Sequence, residues 1–308
     1  MSVYFFQNKK FPKDSSFNSE KGVAFEVEGI FVASALDRDL IMCDDSTGKT
    51  LKDWVEKCFG DTCPVESDYV PGTFYKRIWR PVVSGGNFYK AISQERLNES
   101  FVSLKILLDR LEELFETVEP TEENKKVYGY KIREIILLAC TEVESSWSAI
   151  LKENQYLSKK GYFTTNDYVF LARPMLLDSY ELSLQSYLNF SSFNPFENWN
   201  SDQPTKSLSW YDAYNYTKHD REKNLKYATL ENAIKSVGSV IVMFHAQFGF
   251  NFGAFDKKLD IIRNVFRVVA VGLKKYEKEY YIPKFKLERH QPIPTGEWSG
   301  INYSFVDY

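Results

Sequence analysis

Ser93-Gln-Glu-Arg-Leu-Asn-Glu-Ser-Phe-Val-Ser-Leu-Lys-Ile-Leu-Leu-Asp-Arg-Leu-Glu-Glu-Leu-Phe-Glu-Thr-Val118 is the stretch that decides how this chain is read. Leu97, Phe101, Leu104, Leu108, Leu111, Phe115 and Val118 recur at alternating spacings of four and three. That repeat draws one apolar stripe along an α-helix, and a stripe so long needs a partner helix. Ser93 is a suitable N-cap, and Pro120 stops the helix. The spacing predicts a second helix over 121–154, with Tyr128, Ile132, Ile135, Ile136, Ala139, Val143, Trp147, Ile150 and Leu151 on one side. The short link makes the two antiparallel. The first stripe can be covered within one chain or by a second copy.

Downstream, residues 158–207 are irregular. Tyr180, Leu182 and Leu184 alternate with polar residues and predict an extended segment. Asn194-Pro-Phe196 and Asp202-Gln-Pro204 then mark a long aromatic loop of the kind that is functional or clamps two elements together. Helical spacing returns over 210–224 behind Ser209. It recurs after Thr229 with Leu230, Ile234, Val237, Ile241, Phe244 and Phe248, and after Asp256 with Leu259, Ile262, Phe266, Val269 and Leu273. Upstream, Val23, Phe25, Val27 and Phe31 alternate as a strand does, and turn signals break the region repeatedly. The expected organisation is an N-terminal α+β module of unknown role over 1–90, a helical bundle over 91–280, and an extended tail over 281–308 packed on the body. The fold class expected is mainly α.

The chain has 308 residues, with 39 Lys+Arg against 42 Asp+Glu, a formal net charge of −3. This weakens a reading as a global nucleic-acid coat and leaves room for a local basic site. Four cysteines are too few and too irregular for a disulfide framework, and Cys58 and Cys63 are not at a common zinc spacing. No segment approaches about 18 uninterrupted apolar residues, and the first thirteen do not form a signal peptide, so the expectation is a cytoplasmic protein without a membrane partner. Gly48-Lys49-Thr50 has the ending of a phosphate-binding loop, but Cys43 stands where its first Gly belongs; a turn into a helix fits better.

The stretch richest in chemistry is Trp210-Tyr-Asp-Ala-Tyr-Asn-Tyr-Thr-Lys-His-Asp-Arg221. On a continuous helix, Asp212, Asn215, His219 and Glu222 share one side, while Tyr214, Lys218 and Arg221 share another. The first set could orient an imidazole, and the second would place cations beside it for a phosphate. Glu142 and Glu144 lie two apart on the second long helix, so they face different ways. One of them could hold a basic residue of the active helix.

Thr141-Glu-Val-Glu-Ser-Ser-Trp147, the Trp210 to Arg221 run and Ala228-Thr-Leu-Glu-Asn-Ala-Ile234 together resemble the HEPN superfamily, in its bacterial members. The likeness spans about residues 93–280. It implies a helical bundle that commonly dimerises, and a metal-independent, cofactor-free endoribonuclease of toxin–antitoxin or anti-phage defence systems. The alternative within the same family is a non-catalytic domain that binds a nucleotide, an RNA or a protein partner such as an antitoxin. On the ribonuclease reading His219 is the acid/base and Asn215 its orienter. Lys218 and Arg221 contact phosphate, while Tyr214, Asp212, Glu142 and Trp210 bind substrate or support the site. The family signature carries an Arg before its polar residue and His; aligned on Asn215 and His219, that position is Tyr214. A tyrosine donates one hydrogen bond but brings no positive charge.

Overall fold

The computed structural model describes residues 2–12, 16–36, 38–67, 70–83, 88–250, 253–270 and 280–305. It is 43% helical and 19% strand, which corrects the expectation of a mainly α protein. The difference comes from the first third of the chain, where short alternating runs assemble into a sheet with its own core. The chain divides into two compact units: Met1–Phe74 with Arg80–Ile92 and Lys274–Ile301, and Tyr75–Trp79 with Ser93–Leu273 and Asn302–Tyr308. The segment expected to be a tail is therefore divided: most of it belongs to the first unit, and only its last residues to the second.

The first unit contains β1 (Val3–Gln7), β2 (Lys21–Val27), β3 (Ile30–Ala35), β4 (Ile41–Asp45), α1 (Leu51–Phe59) and β5 (Val65–Glu66). The five strands form an antiparallel sheet in the order β4-β3-β2-β1-β5. The sequence pattern ran through Glu28 and Gly29, but both have positive φ, 48° and 82°, and make the two-residue turn of the β2–β3 hairpin. Alternation then sorts the side chains: Phe6, Ala24, Phe31 and Ala33 pack under Leu51, Trp54, Val55 and Phe59 of α1. Val3, Phe5, Val23, Phe25 and Val32 face Val83, Ile282 and Phe285 instead. Thr50 caps α1 by accepting from Asp53 N at 3.1 Å, so Gly48-Lys49-Thr50 is a turn into a helix. After β6 (Thr73–Tyr75), the returning chain adds the β9–β10 hairpin (Phe285–Glu288 and Gln291–Pro294) and β11 (Ser299–Ile301).

The second unit is built on α2 (Gln94–Phe115), α3 (Tyr130–Glu153) and α7 (Leu230–Phe248). Ser93 caps α2 as its sequence suggests, through Arg96 N at 3.4 Å. Leu97, Leu104, Leu108, Leu111 and Phe115 are buried, against α3, α7 and α8 (Asp260–Val265) of the same chain. That stripe is covered without a second copy. α3 begins nine residues later than the pattern suggested, because Glu123–Lys126 form a single 3-10 turn and Tyr128 pairs as an isolated bridge with Thr229. Thr229 caps α7, which is buried on every side from Ser236 to Phe248 and forms the centre of this unit.

Between these lie α4 (Thr165–Tyr168), β7 (Tyr180–Leu184), α5 (Ser209–His219) and α6 (Arg221–Asn224). The expected last helix is shorter than its spacing implied. Residues 253–259 are 3-10, α8 ends at Val265, and β8 (Phe266–Ala270) pairs antiparallel with β7; Leu273 lies outside the described residues. Two β-branched residues, Val268 and Val269, suit the strand, and the extended β7 offers the ladder. The long aromatic loop is a clamp. Trp199 stacks on Trp147 of α3 and Phe196 meets it edge-on, and Pro195 O accepts from Trp210 Nε1 of α5 at 2.7 Å.

Candidate functional site

The 210–224 helix of the sequence reading is broken. α5 ends at His219, and Asp220 leaves helical geometry with φ −139° and ψ 80°. Arg133 on α3 explains the stop in part: its Nε donates to Thr217 O at 3.0 Å, giving one of the last carbonyls of α5 a cationic partner. The break removes the shared sides assumed for Glu222 with His219 and for Arg221 with Lys218. Arg221 opens α6, and its side chain lies outside the described residues.

Within α5 the burial pattern divides the candidates. Trp210, Tyr211, Tyr214 and Thr217 are buried, Asp212 and Asn215 are half-buried, and Lys218 and His219 are exposed. Trp210 is thus a core residue held by the aromatic clamp. Asn215 does not reach His219; its Nδ2 donates to Tyr211 O one turn back at 2.9 Å. The His219 ring has no hydrogen-bond partner among the described residues. Burial pushes the Asp212 carboxyl up, with Lys206 opposing.

What the fold does assemble is centred on Glu144. Tyr211 Oη donates to Glu144 Oε1 at 2.5 Å and Tyr214 Oη to Oε2 at 3.2 Å. Lys218 Nζ then donates to Tyr214 Oη at 2.9 Å, with its ammonium 4.8 Å from the ring centre. The donors run one way, from Lys218 through Tyr214 to Glu144, with Tyr211 completing the carboxylate. Burial raises both tyrosine pKa values, and the Glu144 charge adds to it, so both hydroxyls stay protonated donors. The Tyr214 hydroxyl in turn raises Lys218. Cys140 beneath them is raised by burial and by Glu144, which leaves an unreactive thiol.

Glu142, the carboxylate placed in the site from sequence, is half-buried and makes no hydrogen bond to α5 among the described residues. Glu144 is the one that meets α5, through Tyr211 and Tyr214. Glu142 and Glu144 flank the apolar stripe of α3 on opposite sides, so helical spacing alone does not choose between them.

Beyond the network, the end of α5 presents a surface the sequence reading missed. The rings of Tyr216 and Tyr227 stack at 5.0 Å and 26°, with 43% and 40% of their surfaces exposed. Lys226 Nζ stands 5.4 Å from the Tyr227 ring centre. Lys223 and Lys226 are exposed on the segment between the two rings, His219 is exposed at the end of α5, and the exposed Tyr128 is tied to Thr229, two residues from Tyr227. Glu222 and Asp220 are the acidic residues of the same segment, and Asp220 is turned toward Lys223.

No group of His, Cys, Asp and Glu suited to a metal occurs among the described residues, and no helix there is long and apolar enough to cross a membrane. Comparison with protein-family models, with curated proteins and with solved structures finds no match for this chain.

Proposed function

We propose that the face formed by the end of α5, by α6 and by the turn at Tyr227 binds single-stranded RNA without cutting it. The observation that carries this reading is the exposed Tyr216–Tyr227 stack with Lys226 Nζ 5.4 Å from the Tyr227 ring centre and the exposed Lys223 on the same short segment. Unpaired bases stack on such rings, each stack contributing about 1–3 kcal/mol, while ammonium groups follow the phosphates. A duplex hides its base faces, so single strands are the fitting substrate.

Cleavage would need more than an exposed imidazole. It needs a second group to move a proton and a fixed cation for the charge that builds on phosphorus. The position aligned with the family arginine is Tyr214, buried between Glu144 and Lys218. Asn215 is turned onto its own helix. Those contacts favour the non-catalytic alternative.

The test is fluorescence anisotropy of a labelled uridine oligomer with wild type, Tyr216→Ala and Lys223→Ala/Lys226→Ala, across a salt series. Tyr216→Ala should weaken binding by about 5- to 150-fold, since it removes a stacking platform. The double lysine variant should lower the slope of log K against log salt by about 1.4, or about 0.7 per lost contact. Binding that neither variant changes would refute the assignment of this face.

A further inference from the structure

The other end of α7 holds a cavity that the RNA-binding reading does not use. His245 lies near the helix C-terminus, about 24 Å along the axis from Thr229 at about 1.5 Å per residue. The cavity measures about 270 Å³ and is lined by His245 with Leu259, Ile262 and Phe266, and at its polar side by Gln185 and Arg267.

Two features distinguish it from a packing defect. The first is the imidazole, only 5% exposed. Its Nδ1 lies 2.8 Å from Gly249 O, and a carbonyl can only accept, so Nδ1 carries the hydrogen. Burial holds this histidine down to about pH 4, so near neutrality the ring is uncharged and Nε2 keeps a bare lone pair. Among the described residues nothing donates to Nε2. One ring face is covered by Phe250, stacked at 4.3 Å and 10°, which leaves the edge for a ligand. The second feature is the pair of arginines. Arg263 is committed to Asp260 at 3.0 Å, but Arg267 on β8 has no ion pair among the described residues. A metal does not fit, because one nitrogen without companion ligands is not a coordination site.

We propose that this cavity binds a small organic carboxylate with an apolar body, which donates a hydroxyl or N–H to His245 Nε2 and pairs its anionic end with Arg267. Leu259, Ile262 and Phe266 supply the apolar contact, as in pockets where a few polar groups orient an otherwise greasy ligand.

Calorimetric titration of the full-length protein with para-hydroxybenzoate, benzoate and phenol separates the three contacts. Para-hydroxybenzoate should bind most tightly, with benzoate and phenol each about tenfold weaker because each lacks one polar contact. Arg267→Ala, at an exposed strand position, should weaken both carboxylates about tenfold and leave phenol unchanged. His245→Phe should bring para-hydroxybenzoate level with benzoate. The proposal is overturned if no probe binds at millimolar concentration, or if Arg267→Ala binds para-hydroxybenzoate as wild type does.

Discussion

Glu144 is the residue whose removal should reveal most about the second unit. Its two carboxylate oxygens accept from Tyr211 and Tyr214, and Tyr211 is only 3% exposed. Glu144→Ala strands the Tyr211 hydroxyl away from water, a cost of about 1–3 kcal/mol. Tyr214 loses an acceptor too but keeps Lys218, and Glu144 is itself partly solvated, so that bond adds about 1 kcal/mol more. The expected destabilisation is about 2–4 kcal/mol. Urea unfolding followed by tryptophan fluorescence reports on this region, since Trp147 and Trp210 touch the Tyr211 ring. Tyr211→Phe, which removes only the hydroxyl, completes a double-mutant cycle with an expected coupling of about 1–2 kcal/mol. A Glu144→Ala cost below about 0.5 kcal/mol, or a coupling near zero, would refute the network as a stabilising unit.

Other outcomes follow from the same contacts. Tyr211 has a raised pKa in the folded chain, so the unfolded state gives up its proton first above about pH 10; stability should fall with rising pH there, and Tyr211→Phe should flatten the fall, as alkaline urea midpoints would record. His245 is depressed to about 4, so the unfolded state binds the extra proton below about pH 6.5. Stability should drop by about 2 kcal/mol between pH 7 and pH 5, less so in His245→Gln. Gly238→Ala places a methyl 2.9 Å from the Phe193 ring of the aromatic loop, so it should destabilise by about 1–3 kcal/mol in thermal unfolding although alanine is the better helix former.

The parts of the fold legible in the sequence are those governed by local spacing. α2 and α7 keep their apolar residues in register over several turns, and Ser93 and Thr229 cap them with side chains that read plainly. Failures came where a distant partner decided. Phe266 and Val269 fit a helical stripe, yet pairing with β7 makes them strand. The hairpin turn at Glu28 and Gly29 interrupts an alternation that looked continuous, because only a positive φ at both residues reverses the chain. Of the five strands in the first unit only the alternating run over 23–31 is legible; the others are short and are fixed by pairing with distant segments.

Which residues of the candidate site meet in space was not legible in the sequence. Residue types suited to acid–base chemistry cluster in α5, but the break at Asp220, set in part by Arg133 from another helix, undoes the assumed shared faces. Tyr216 and Tyr227 lie eleven residues apart, and only the turn through α6 brings their rings together. A single helical wheel could not place them as neighbours.

The most direct test follows binding and integrity of the same RNA in one sample. End-labelled single-stranded RNA is incubated with wild type and with His219→Ala in EDTA, and read by native gel for the complex and by denaturing gel for length. The account predicts that both proteins shift the RNA and both return it intact. Cleavage by wild type that disappears in His219→Ala would contradict it and make the imidazole at the end of α5 a catalyst.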